Sequence, residues 1–127
     1  MARALESYKQ ALAILREVGD RPGEATALRN VGFAHNQLGE WQQALQFYGL
    51  ALPICRDIEN QACEAATRYD IAMIHREQGQ LDWAVAELEQ VVELKRQLGQ
   101  PDLESVIAAL ERVRQEQARS DVRSTDP

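Results

Sequence analysis

LRNVGFAHNQLGEWQQALQFYGLAL, residues Leu28 to Leu52, decides the fold. Its first half carries apolar residues at helical spacing, a Gly-Glu joint follows, and a second helix opens on Trp41 and carries Ala44, Tyr48 and Ala51. A weaker copy, RYDIAMIHREQGQLDWAVAELEQVV, runs from Arg68 to Val92. Gly39 matches Gly79, Ala44 matches Ala84 and His35 matches His75, each pair 40 residues apart. A fixed period in this range means stacked two-helix units, so the fold class is all-α and the architecture a solenoid of antiparallel helix pairs.

Working outward, Gly19, Gly39, Gly79 and Gly99 fit the left-handed position that ends a helix. Pro22 and Pro101 follow two of these joints, where a missing N–H costs nothing. Asp20 and Asn60 can accept from first-turn N–H groups as N-caps. The pattern predicts six helices near 1–18, 21–38, 41–58, 61–78, 81–98 and 101–118, antiparallel because the joints are short. Pro53 removes one helical bond, and with Gly49 four residues before it a kink near 49–53 is expected, not a stop.

The first helix reads as the second half of a unit. Ala4, Leu5, Tyr8, Ala11, Leu12 and Ile14 align with Ala44, Leu45, Tyr48, Ala51, Leu52 and Ile54. The chain therefore starts mid-repeat, which points to the end of a longer array. The last helix has one apolar stripe, Leu103, Ile107, Leu110 and Val113, and otherwise charged surface, as a capping helix requires. Residues 119–127 are polar and are expected to be disordered.

Composition narrows the function. The 127 residues suit a single domain, and the net charge of −6 argues against nucleic acid and anionic membrane surfaces. No apolar run is long enough to span a bilayer. The amino-terminal MARALESYKQ carries charges where a signal peptide needs an apolar core. Cys55 and Cys63 then read as free thiols in a reducing cytoplasm.

The chain resembles tetratricopeptide repeat proteins over residues 1–118. The family pattern corresponds to Leu28, Val31, Gly32 and His35, then Ala44, Tyr48 and Ala51. The second unit departs to Arg68, Ile71, Ala72 and His75, then Ala84, Leu88 and Val91. The 40-residue spacing is similar to the subclass of kinesin light chains, and GDRPGEATALRNVG looks like the carboxy-terminal repeat arrays of bacterial signalling NTPases. The resemblance implies a right-handed superhelix with a leading half-repeat (1–18), repeats at 21–58 and 61–98, and a cap at 101–118.

It also implies a non-enzymatic scaffold that binds a peptide or protein segment on the concave face of each first helix. There Arg29, Asn30, Phe33, Asn36 and Gln37 form one stripe, and Tyr69, Asp70, Met73, Arg76 and Glu77 the next. An amide at Asn30 can donate to and accept from a peptide backbone at once, whereas Asp70 only accepts and favours a basic segment. The alternative is self-association, a homodimer through Leu5, Tyr8, Leu12 and Leu15 of the unpartnered first helix.

No catalytic motif, cofactor or metal is expected. His35 and His75 lack the further ligands a closed metal site needs and stand where the family has packing aromatics. Cys55 and Cys63 flank the 59–60 turn symmetrically, which leaves a redox pair as the lesser reading beside idle thiols. Trp41 and Trp83 open second helices and are expected to pack between units.

Overall fold

The computed structural model describes residues 2–125, with side chains described for residues 3–122. It holds six helices: α1 (Ala2–Val18), α2 (Arg21–Gln37), α3 (Trp41–Asp57), α4 (Gln61–Glu77), α5 (Leu81–Leu98) and α6 (Leu103–Thr125). Among the described residues there is no strand. The fold is an all-α helical repeat.

The joints explain the spacing. Asp20, Glu40, Asn60, Gln80 and Gln100 each donate their backbone N–H to the carbonyl five residues back, at 2.8–3.1 Å. That bond needs a left-handed residue just before the donor. Gly19, Gly39, Gly79 and Gly99 supply it with φ of 63–77°, and Glu59 supplies it in the third joint at φ 55°. The period of 20 is thus one capping motif repeated five times. On the entering side, Asp20 Oδ1 accepts from Gly23 N at 2.9 Å and Asn60 Oδ1 from Cys63 N at 3.0 Å.

Two expectations need correction. Residues 119–125 are helical, since α6 runs to Thr125; residues 126–127 of the expected disordered tail lie outside the described residues. The reason is local and tertiary together: QEQARSDVRS contains neither glycine nor proline, and Gln117 Nε2 ties the helix to α5 by donating to Asp82 Oδ1. At its other end α6 begins at Leu103, because Pro101 and Asp102 form a turn tied down by Lys95 Nζ to Asp102 Oδ2 at 2.9 Å. Within α3, helix continues unbroken through the exposed Pro53.

Contacts divide the chain inside α4 into two compact units, Met1–Thr67 and Arg68–Pro127. In the first unit Leu12, Ala25, Ala27, Leu28, Ala51, Ile54 and Cys55 form a buried core, with Leu15, Phe47, Ile58 and Cys63 packed against it. Helix α2 thereby lies in the groove between α3 and the start of α4. Its closest approach is at Gly32, where a Cβ would stand 2.9 Å from the Tyr48 ring. Tyr48 is almost fully buried there. Filling such a site with one large side chain contributes roughly 1.5–3 kcal/mol.

In the second unit α5 and α6 pack together, and Ala72, Ile74, Ala84, Leu88, Val91, Val106, Leu110 and Val113 are buried. The pair equivalent to Gly32 and Tyr48 is Ala72 and Leu88. One extra methyl on the first helix goes with a smaller side chain on the second, so the space between paired helices is filled by either combination.

Candidate binding surfaces

On α2 the buried positions are Ala25, Ala27, Leu28, Val31, Gly32, Ala34 and His35. What they leave open is a line of Thr26, Asn30, Phe33 and Gln37, spaced four, three and four residues and so stacked along one face. Asn30 is half-buried, Thr26 and Gln37 are exposed, and the Phe33 ring is 48% exposed. Arg29 and Asn36 are half-buried beside that line. The structure therefore brings all five expected α2 residues to one side and adds Thr26. The signal for Thr26 was present in the spacing, four residues before Asn30.

In the second unit Tyr69, Asp70, Met73 and Arg76 of α4 are half-buried and Glu77 is exposed. Arg76 is already engaged. Its Nε donates to both carboxylate oxygens of Glu116 on α6 at 3.1 Å, and its Nη2 also reaches Glu116 Oε1. The bond to Glu116 raises the Arg76 pKa, and the same bond holds the Glu116 carboxyl below its usual range. The Arg76 guanidinium in the expected stripe is thus already turned to a carboxylate of its own chain. Nothing in the sequence pattern marked Glu116 as its partner.

Both histidines serve as packing rings. His35 stacks on Phe47 with centroids 5.4 Å apart, and its Nδ1 lies 3.0 Å from Glu40 Oε1. Glu40 consequently does not cap α3 with its side chain, although it occupies the N-cap position. Lys9 of α1 places its ammonium 5.9 Å from the Phe47 ring centre, a favourable cation–π approach. His75 meets the Trp83 ring edge-on at 5.1 Å, and its burial lowers its pKa against a smaller opposing effect of Glu87. Trp83 itself is 64% exposed, so it does not pack between units as expected.

The cysteines correct the sequence reading most clearly. Cys55 and Cys63 are joined by a disulfide, with Cα atoms 5.6 Å apart. Asn60 brings them together from both sides. Its N–H donates to the Cys55 carbonyl at 2.8 Å, while its side chain accepts the N–H of Cys63. Placement on either side of one residue that caps both helices is what makes the separation bridgeable. With both sulfurs bonded, cysteine count no longer argues for a reducing compartment. No helix among the described residues is long and apolar enough to cross a membrane.

The self-association residues divide. Leu12 is 4% exposed and belongs to the core, whereas Leu15 is half-buried, packing against that core and lining the groove beside α1. Leu5 and Tyr8 are half-buried. Among the described residues the exposed apolar side chains of α1 are Ala11, Ala13, Ile14 and Val18, of which Ala11 lines the groove beside α2.

The tetratricopeptide repeat model matches residues 1–57 and again residues 30–97. The chain belongs to the tetratricopeptide repeat family. A search among curated proteins returned no match. Tetratricopeptide repeats generally mediate protein–protein interaction.

Proposed function

We propose that this chain is a non-enzymatic tetratricopeptide scaffold that binds an extended peptide segment along the open faces of its first helices. The observation that carries this is Phe33, a ring half exposed beside Asn30 on a face that helix pairing leaves uncovered. Exposed aromatics of this kind are common binding anchors, and an amide beside one can hold the backbone of what the ring holds by its side chain. On α4, in the second unit, Tyr69 and Met73 offer an apolar contact of their own, with Asp70 and Glu77 favouring a basic residue in the ligand.

The 40-residue period supports the longer-helix subclass similar to kinesin light chains, and with it the right-handed superhelix of the family. No cofactor or metal enters this reading.

The test is selection of a displayed random-peptide library on the purified chain, followed by titration calorimetry with the enriched peptides. Phe33→Ala is expected to weaken them by about 2 kcal/mol, and Asn30→Ala by about 1 kcal/mol. Thermal midpoints should stay close to that of the wild type, because both positions lie outside the core. Enriched peptides that bind both variants undiminished would sink the proposal.

A further inference from the structure

We propose that the Cys55–Cys63 bond is a reversible thiol switch on the joint between α3 and α4, opened at the Cys63 sulfur by a dithiol reductant. The starting point is what stands at the same two positions of the equivalent joints. Leu15 and Gly23 occupy them between α1 and α2, and Lys95 and Leu103 between α5 and α6. In the first of these the two positions already touch, since a Cβ on Gly23 would stand 2.7 Å from Leu15 Cδ2. The repeat therefore makes this contact with no covalent bond, and the two cysteines are an addition to it.

The joint has other contacts to keep its register. Asn60 donates its N–H to the Cys55 carbonyl at 2.8 Å and accepts the N–H of Cys63 at 3.0 Å. Arg56 Nε pairs with Glu64 Oε2 at 3.6 Å, the counterpart of Arg16 and Glu24 at 3.3 Å across the first joint. None of these contacts uses a sulfur, so they survive reduction and hold the two thiols close enough to bond again. The backbone between them is the weaker part. Glu59 takes the left-handed position that glycine fills in the other four joints, where a side chain is disfavoured. The bond closes over that residue, so its loss loosens this joint first.

Burial decides which sulfur is attacked. Cys55 is fully buried in the core of the first unit, whereas Cys63 is half-buried. A thiolate of the reductant bonds to Cys63 Sγ as the bond from Cys63 to Cys55 breaks. Cys55 leaves with the electron pair and takes up a proton. Its S–H then has an acceptor in Thr67 Oγ1, 4.0 Å from Cys55 Sγ, while Thr67 donates onward to the Cys63 carbonyl at 2.8 Å. The second thiol of the reductant displaces Cys63 from the mixed disulfide. In sum the protein bond gains two electrons and two protons, and the dithiol becomes a disulfide.

The experiment treats the folded chain with reduced glutathione, blocks free thiols with N-ethylmaleimide and maps the products by mass. Trypsin cuts after Arg56, so the two cysteines fall on separate peptides. Glutathione is expected on Cys63 and the maleimide on Cys55. Cys55→Ala should take up one glutathione from oxidised glutathione, and Cys63→Ala none while it is folded. Dithiothreitol should open the bond in the folded wild type, and oxidised glutathione should close it, with the same helix content by circular dichroism in both forms. Amide exchange should quicken on reduction at Asn60 and Cys63 and stay unchanged at Glu40 and Gln80, which make the same bond in joints without cysteine. Glutathione on Cys55 would overturn the proposal by reversing the attack. A bond that opens only when the chain unfolds would overturn it by making the link a permanent staple. Unchanged exchange at Asn60 would overturn it as well, since the joint would then not respond to the bond.

Discussion

At Gly32 the whole width of a side chain is decided by one hydrogen. A methyl there would stand 2.9 Å from the buried Tyr48 ring, which has no room to retreat. Gly32→Ala should therefore cost about 1–3 kcal/mol by overpacking. Tyr48→Leu should cost a comparable amount by leaving a void. Together they recreate the Ala72 and Leu88 pair of the second repeat, so the double variant should be less destabilised than the sum of the singles. Denaturant unfolding of the four proteins measures that coupling; strict additivity would mean the two repeats fill the space by unrelated means. His75 offers a second residue-level test. Burial sets its folded pKa below the unfolded value of 6.5, so the unfolded chain binds the proton first on acidification. The contribution of this residue is fully present above pH 6.5 and is lost as pH falls through the folded pKa. His75→Phe should flatten the stability curve just below pH 6.5, seen in thermal midpoints taken across that range. Glu116 acts lower: its carboxyl is held below 4.5 by Arg76, and its contribution goes only as pH falls below that value.

The helices owe their lengths to their ends. Five joints share one backbone bond, and four of them place glycine at the left-handed residue that the bond demands. The third uses Glu59, which carries a side chain into a conformation that costs roughly 1–2 kcal/mol for such residues. That joint is also the one crossed by the Cys55–Cys63 bond, closing a loop eight residues apart in sequence. Closing so short a loop stabilises by about 2–3 kcal/mol on the chain-entropy account. Reduction with dithiothreitol should lower the thermal midpoint of wild type and leave a Cys55→Ser, Cys63→Ser variant unmoved. Equal response of both proteins would show that the bond contributes nothing to stability.

Across the molecule, the open face of α2 and the groove beside α1 share an edge, because Thr26 and Asn30 line both. Sequence periodicity treated them as separate, since a repeat pattern numbers faces helix by helix and says nothing about the space between helices. Much else was legible. Glycines at 20-residue intervals, the caps at Asp20 and Asn60, and the match of α1 to α3 gave six helices and their pairing, because capping and amphipathic burial act within a few residues of the chain. Of the packing face expected at Leu28, Val31, His35 and Leu38, the first three are buried for the same reason, while Leu38 at the helix end is 45% exposed. Local chemistry did not reveal that Arg76 is claimed by Glu116, that Asn60 draws both cysteines into bonding distance, or that Leu12 points inward while Ile14 stays in solvent. Those outcomes join residues of different helices, or depend on which neighbouring helix is present. The sequence by itself determined the all-α repeat, its period and its joints, through hydrogen bonds and side-chain spacing that any one segment carries. Only the tertiary structure decided which polar groups remain open to a partner, because a side chain is taken or left free by whatever packs opposite it.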